Sequence, residues 1–305
     1  MILCAGEALI DMLPRQTAAG EAAFAPYPGG AVFNTAVALG RLGAKAGFLG
    51  GVSTDLFGDM LAAALKASKV SDLALRFARP TTLAFVTLTG GHARYAFYDE
   101  NTAGRMLTPG DLPTLPKAVA AAFFGGISLV AEPCGSAYEA LMAREAGRRV
   151  TMIDPNIRPG FIRDEAAYRA RIGRMLALAD IVKLSDEDLL WLLGNGPTAT
   201  LAREVLAMGP KLVCITEGAK GARAVTAAAE VAVAGQKVAV ADTVGAGDTF
   251  NAGLLAALAK VKALSKPALA ALGEDSLRDA LSFGCRAAAV TVGRPGADPP
   301  WSHEL

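Results

Sequence analysis

Short β-branched or apolar runs alternate along the chain with longer Ala/Leu-rich amphipathic stretches. RRVTMID precedes a helix predicted over Tyr168 to Ala179, and DIVKLS precedes DEDLLWLLG. This alternation is a βαβ signature and predicts an α/β fold around a mostly parallel sheet. AAAFFGGIS, KLVCIT and KVAVA carry the same strand pattern, and ARAVTAAA with EVAVAG reads as a returning hairpin. The apolar N-terminal MILCAGEALIDML is interrupted by Glu7 and Asp11 and lacks a basic leader, so it reads as one or two strands, not a signal peptide.

One segment departs from this rhythm. TTLAFVTLT and HARYAFYD alternate with period two and are joined by Gly90-Gly91, a pair free to adopt positive φ, which predicts a β-hairpin. Its aromatics Tyr95, Phe97 and Tyr98 fit a flap projecting over a site. They fit an ordinary edge hairpin equally.

Composition narrows the chemistry. The 305 residues include 30 basic and 29 acidic side chains, a net charge of +1, which removes the electrostatic case for nucleic acid or a membrane surface as partner. Two histidines, His92 and His303, stand far apart, so a His-based zinc site or a Ser-His-Asp triad is hard to build. The cysteines Cys4, Cys134, Cys214 and Cys285 form no CxxC pair, and ILC, LVCI and SFGC place three of them in apolar settings. No apolar run reaches the length of a bilayer span, so cytoplasmic residence is the expectation.

Ligands of open α/β sheets bind beyond the carboxyl ends of the strands. Five segments are predicted there: Asp11 after ALI, Asp154 to Arg158, Lys183 to Asp188, Thr216 to Gly221, and Asp242 to Asp248 after KVAVA. The last is the most informative. In Asp242-Thr-Val-Gly245-Ala246-Gly247-Asp248-Thr-Phe, two glycines let successive N–H groups converge at a helix amino end, which suits a phosphate oxygen. Asp248, in the first turn, could take the proton of an attacking hydroxyl or simply cap the helix. The loop lacks the GK[ST] of a Walker A motif and the third glycine of a Rossmann fingerprint. Near the N-terminus, Gly29-Gly30 opens a second helix carrying Asn34; with the paired acceptors of Asp11, these residues describe polyol recognition, or a capped helix packed on the sheet.

GGAVFNTAVALGRLG and DTVGAGDTF, in this order and spacing, resemble the paired signatures of the PfkB, or ribokinase-like, family of sugar kinases; DPNIR, KLSDED, TEGAKG and RPGADPPW extend the resemblance over the whole chain. The resemblance implies a single domain, residues 1–305: a mostly parallel sheet between helical layers, with a small β-sheet lid from roughly 12–28 and 78–104. It implies Asp248 as the base, Gly245, Ala246 and Gly247 as the anion hole, and Arg158 reaching phosphate or sugar. Asp11, Gly29, Gly30, Asn34 and Phe97 would hold the sugar. Lys183, Ser185, Thr216, Gly218 and Gly221, with Gly245 and Gly247, would border ATP. Ser185 and Asp188 replace the family's N-x-x-E motif, leaving Asp188 a water-mediated Mg²⁺ contact, and backbone oxygens of Asp242 and Val244 would meet a monovalent cation such as K⁺.

Among family members the sequence looks most like bacterial fructokinases, with fructose phosphorylated at O6. The alternative is 2-keto-3-deoxygluconate, its carboxylate met by Arg94 or Arg105. A nucleoside kinase and a non-catalytic sugar- or nucleotide-binding protein are further readings; an NAD-dependent oxidoreductase lacks its GxGxxG. A homodimer pairing two lids would cover their edges.

Overall fold

The computed structural model describes residues 1–89 and 92–305; the Gly90-Gly91 turn and the side chains of residues 87–89 and 92–95, Arg94 and Tyr95 among them, lie outside the described residues. The strands of the N-terminal half are β1 (Ile2–Ala5), β2 (Leu9–Gln16), β3 (Ala22–Gly29), β4 (Ala46–Leu49), β5 (Gly51–Ser53), β6 (Ser71–Asp72), β7 (Leu75–Phe77), β8 (Leu83–Thr89) and β9 (His92–Tyr98). Those of the C-terminal half are β10 (Ala121–Gly125), β11 (Val150–Asp154), β12 (Ile181–Ser185), β13 (Leu212–Thr216), β14 (Gly221–Val225) and β15 (Glu230–Ala234). The α-helices are α1 (Ala31–Arg41), α2 (Leu56–Ala67), α3 (Cys134–Glu145), α4 (Glu165–Leu178), α5 (Asp186–Leu193), α6 (Thr198–Ala207), α7 (Ala246–Lys260), α8 (Lys266–Ala270) and α9 (Glu274–Val292).

Nine strands form the main sheet in the order β15-β14-β13-β12-β11-β10-β1-β4-β6, parallel except where β14 and β15 return antiparallel at one edge. The predicted returning hairpin is therefore present. Helices cover both faces, so strands such as VTMID and AAFFG are buried throughout and read as continuous apolar runs. The pleat then sorts side chains by alternation: Ile2, Cys4 and Met152 join the core under α1, α2, α7 and α9, while Leu3, Ala5 and Ile153 join the core under α3 to α6. Each fully buried leucine or phenylalanine contributes roughly 1.5–3 kcal/mol. Three helical and sheet layers result.

A separate four-stranded sheet, β3-β2-β8-β9, contains the predicted hairpin strands β8 and β9 as an antiparallel pair. It also contains β2, which corrects one expectation: Asp11 lies in the small sheet, opposite Ala84 of β8, and not at the carboxyl end of a main-sheet strand. KVAVA requires a second correction, because residues 235–243 form no strand. Val238 and Val240 alternate with alanine as in a strand, yet the chain leaves the sheet at Gly235 and its next backbone bonds, from Ala241 and Asp242 N–H, go to Val292 O at the end of α9. Of the cysteines, Cys4, Cys134 and Cys214 are buried, whereas Cys285 is half-buried.

Candidate active site

β1, β10, β11, β12 and β13 all end on one cleft of about 980 Å³, roofed by the small sheet. Glu7, Ile127, Asn156, Ser185 and Thr216, each at or just beyond a strand end, line its floor, and Asp11 and Phe97 face it from the small sheet. The five predicted segments thus meet in one place, although Asp11 arrives from a different sheet.

Two glycine-opened helices point their amino ends into the cleft. α7 begins at Gly245, whose φ of 76° is left-handed and whose missing side chain is required, since a Cβ there would fall 2.6 Å from the Cβ of Ala297. No side chain caps this helix. Ala246 N–H turns back to Thr243 O at 3.3 Å, and Thr249 N–H begins the helical ladder on Gly245 O, leaving the Gly247 and Asp248 amides without a protein acceptor among the described residues. Asp248 is the third residue of the helix, not its cap, which sets aside the capping role weighed from the sequence.

Asp248 is 8% exposed, and one of its oxygens accepts a 3.0 Å hydrogen bond from Asn34 Nδ2 on α1. Thr35 Oγ1 reaches the Asp248 carbonyl at 3.3 Å, tying the two helices at this turn. Burial pushes the Asp248 carboxyl up to about 7, with the charges of Asp154 and Glu7 adding to it against the opposing Asn34 hydrogen bond and Lys183 charge. A group so poised exchanges a proton near neutrality.

The sugar-side expectations resolve into distinct jobs. The Asp11 carboxylate has no protein hydrogen-bond partner among the described residues, and burial alone raises its pKa to about 6. Gly29 stands behind it: a Cβ there would lie 2.1 Å from Asp11 Oδ2, so this glycine makes room for the carboxylate. Gly30 caps α1 with φ 102° and lines the cleft. Phe97 packs edge-on against Phe161, their ring centroids 4.5 Å apart, and Arg158 is exposed at the rim with Nη1 on Ile157 O.

A family model described as pfkB family carbohydrate kinase matches residues 1–304. The chain belongs to the pfkB family. It is 55% identical over 281 residues to a fructokinase of Rhizobium leguminosarum bv. trifolii, covering 92% of this chain and 86% of that one. A probable chloroplastic fructokinase-6 of Arabidopsis thaliana is 38% identical over 309 residues, 98% of this chain and 79% of the plant protein. Among solved structures, the ATP-bound fructokinase of Xylella fastidiosa superposes with TM-score 0.87 at 29% identity over 97% and 93% of the two chains. A double mutant of the Vibrio cholerae fructokinase, bound to fructose, ADP and a potassium ion, gives 0.84 at 27% identity over 97% and 93%. The fold is ribokinase-like, as the sequence resemblance implied.

In this pfkB kinase the second half of the cleft is lined by Thr216, Gly218 and Gly221 from the β13–β14 connection. Val238 and Val240, and Cys285, Ala288, Ala289 and Val292 of α9, line the same cleft. Sequence reasoning missed this apolar wall, whose small side chains carry no chemical signature. It missed Glu7 as well. That buried carboxylate accepts from Ala31 N–H at 3.0 Å, Val32 N–H at 3.5 Å and Ser128 N–H at 3.2 Å, and so occupies the amino end of α1. The available signal was a helix opened by Gly-Gly with no Ser, Thr, Asp or Asn at its cap, whose amides must find an acceptor elsewhere.

Ser185 and Asp188 form a capping box on α5: Ser185 Oγ accepts from Asp188 N–H at 3.0 Å, and Asp188 Oδ2 from Ser185 N–H at 3.1 Å. Asp188 Oδ1 accepts from Ile157 N–H at 2.9 Å, so both of its oxygens already bind backbone. Burial raises this carboxyl above its ordinary range. Asp242 lies beside the cleft, its carboxylate bridging Val244 N–H and Gly296 N–H at 3.0 and 2.9 Å. Among the described residues no group of three or more His, Cys, Asp or Glu could hold a metal ion, and no helix is long and apolar enough to cross a membrane.

Proposed function

We propose that this chain is an ATP-dependent fructokinase that transfers the γ-phosphoryl group of MgATP to O6 of fructose. The observation that carries the reading is the buried, Asn34-bonded Asp248 carboxylate beside the open amides of α7, in a cleft with room for sugar and nucleotide at its two ends. The 55% identity to a fructokinase selects the sugar.

On this reading Asp248, ionised near neutrality, takes the proton of the attacking hydroxyl. The amides around Gly245, Ala246 and Gly247 stabilise charge gathering on the phosphoryl oxygens. Asp11, Gly30 and Asn34 hold the sugar, Phe97 covers it, and Arg158 closes on sugar or phosphate from the rim. Thr216, Gly218, Gly221, Lys183 and Ser185 border ATP, with the α9 wall against the base. The small sheet acts as a lid excluding water, within one domain of residues 1–305. Magnesium bound with the nucleotide would neutralise phosphate charge; Asp188, its oxygens spent on backbone, would reach the ion only through water. The Asp242 bridges hold the loop whose Asp242 and Val244 carbonyls would meet a monovalent cation, and a potassium ion is bound in the Vibrio cholerae relative.

The exposed aromatic face of the lid, where Phe85 packs on Phe24 and Tyr98 at centroid distances of 5.0 and 5.5 Å, supports pairing of two lids in a homodimer. Sedimentation as a monomer at micromolar concentration would end that part of the reading. Against 2-keto-3-deoxygluconate stands Arg105, whose guanidinium is engaged by Asp99 at 3.0 Å and by Glu132 O. The test is a panel of fructose, other hexoses, ribose, nucleosides and the keto-acid with MgATP, the product identified by NMR. Fructose 6-phosphate as the main product supports the proposal; turnover of the keto-acid alone overturns it.

A further inference from the structure

Behind the amino end of α7 lies a buried polar cluster of Lys183 on β12, Asp154 at the end of β11 and Asn251 on α7, respectively 4%, 2% and 1% exposed. Lys183 Nζ donates to Asp154 Oδ2 at 3.0 Å, and Asn251 Nδ2 donates to the same oxygen at 2.7 Å. The other Asp154 oxygen accepts from Asn156 N–H at 3.1 Å, which fixes that carboxylate from a third side. Asn251 follows Asp248 by three residues and so lies on the same face of α7.

Two features of the cluster are not accounted for by packing. An ammonium has three N–H donors, yet only the one on Asp154 meets a protein acceptor among the described residues, although Lys183 is buried. Lys183 also lines the cleft, and a Cβ at Gly247 would lie 3.4 Å from Nζ, so the ammonium sits directly against the amide-rich turn that receives anionic charge. Asn251 Oδ1 is buried without a partner. Unpaired buried donors are costly, and the two spare Lys183 N–H groups at the wall of the cleft point to an acceptor-bearing ligand that completes them. Burial opposes charging the lysine, but Asp154, Asp188 and Asp248 outweigh it and hold the ammonium above its ordinary pKa.

We propose that Asp154 and Asn251 are positioning residues that hold the Lys183 ammonium against the α7 amino end, where its unspent N–H groups contact the γ-phosphoryl oxygens of the nucleotide. This deepens the kinase reading and rests on it. A purely structural ion pair joining β11, β12 and α7 would affect stability without distinguishing one nucleotide from another.

The experiment compares full-length wild type with Lys183→Met and Asn251→Ala, measuring kcat, the KM for fructose, and calorimetric affinities for a non-hydrolysable ATP analogue and for ADP. Lys183→Met should lower kcat about 10²- to 10³-fold. It should weaken the analogue at least about tenfold and leave ADP affinity and fructose KM within about threefold. Asn251→Ala should show the same pattern with a kcat loss of about tenfold, and it keeps both charges in place, so it decides the matter if Lys183→Met does not fold. Asp154→Asn strands the buried lysine; a double variant Asp154→Leu with Lys183→Met removes both charges, and should fold and be no more active than Lys183→Met. Wild-type kcat in Asn251→Ala, or equal losses of analogue and ADP affinity in Lys183→Met, would overturn the inference. If wild type does not turn over fructose, the kinase reading fails, while the contrast between analogue and ADP still judges the lysine by binding alone.

Discussion

α1 and α7 open in the same way and end up doing opposite things. Each starts at a glycine with positive φ, 102° at Gly30 and 76° at Gly245, each lacks a side-chain cap of its own, and each aims its amino end into the same cleft. At α1 the Ala31 and Val32 amides are taken by the buried carboxylate of Glu7, which also binds Ser128 N–H across the cleft floor. At α7 the amides of Gly247 and Asp248 remain open. A helix amino end attracts negative charge, and a protein that supplies the charge itself closes that end to an anion. On the proposed reading, the α1 end offers polar contacts to a neutral hydroxyl-rich ligand, and the α7 end keeps its field for phosphate. The difference resides in one residue twenty-four positions before the helix it caps.

The comparison breaks most visibly at Asp248. Asp248→Asn keeps the hydrogen-bonding shape but cannot take a proton, so kcat should fall about 10²- to 10⁴-fold while circular dichroism and Tm stay near or above wild type. Activity retained within a few-fold would remove the base from the account. Next in size is Glu7→Ala, which strands three amides, two of them buried; a loss of about 2–4 kcal/mol in urea denaturation is expected, together with a raised KM for fructose. An unchanged urea midpoint would show that the α1 end needs no internal anion.

Gly30→Ala and Gly245→Ala sharpen the division of labour. Each forces a side chain into left-handed backbone, and the new Cβ would meet Glu7 at 3.1 Å in the first case and Ala297 at 2.6 Å in the second, for a cost of about 1–3 kcal/mol. The first should raise the KM for fructose and the second the KM for MgATP; the same parameter moving in both would contradict two separate jobs.

The smallest effect is in pH dependence. With the Asp248 carboxyl near 7, kcat/KM should climb with pH through that value as the base ionises. The stability consequence has the opposite sense. A folded-state pKa raised above the unfolded value gives stability that is present at low pH and lost as pH rises through about 7. Asp248→Asn should therefore melt higher than wild type at pH 8, with the gap closing below about pH 4. A constant difference across that range would mean that Asp248 is not held in its protonated form by burial.

Much of this was legible in the chain. The βα alternation, the hairpin of β8 and β9, and the two glycine-opened helices announced themselves through period, turn residues and local spacing, because each depends on neighbours in sequence. What was hidden depends on partners far away. Glu7 looks like an interruption in an apolar strand until Ala31 and Ser128 are brought to it, and Asp154 and Asn251 acquire meaning only through Lys183. KVAVA alternates like a strand but finds no neighbouring strand after Gly235, so its pattern serves a cleft wall instead. Asp11 was read as a sheet terminus because the sequence does not say where one sheet stops and another begins. The small residues of α9 that line the cleft leave no mark at all, since alanine and valine line cores and clefts alike.

The most direct test of the account is fructose-dependent release of ADP from MgATP, measured side by side for wild type and Asp248→Asn at pH 8. The account predicts fructose-stimulated turnover in wild type, little release without sugar, and a loss of at least about 10²-fold in the variant at unchanged fold. Equal turnover in the two proteins would contradict it.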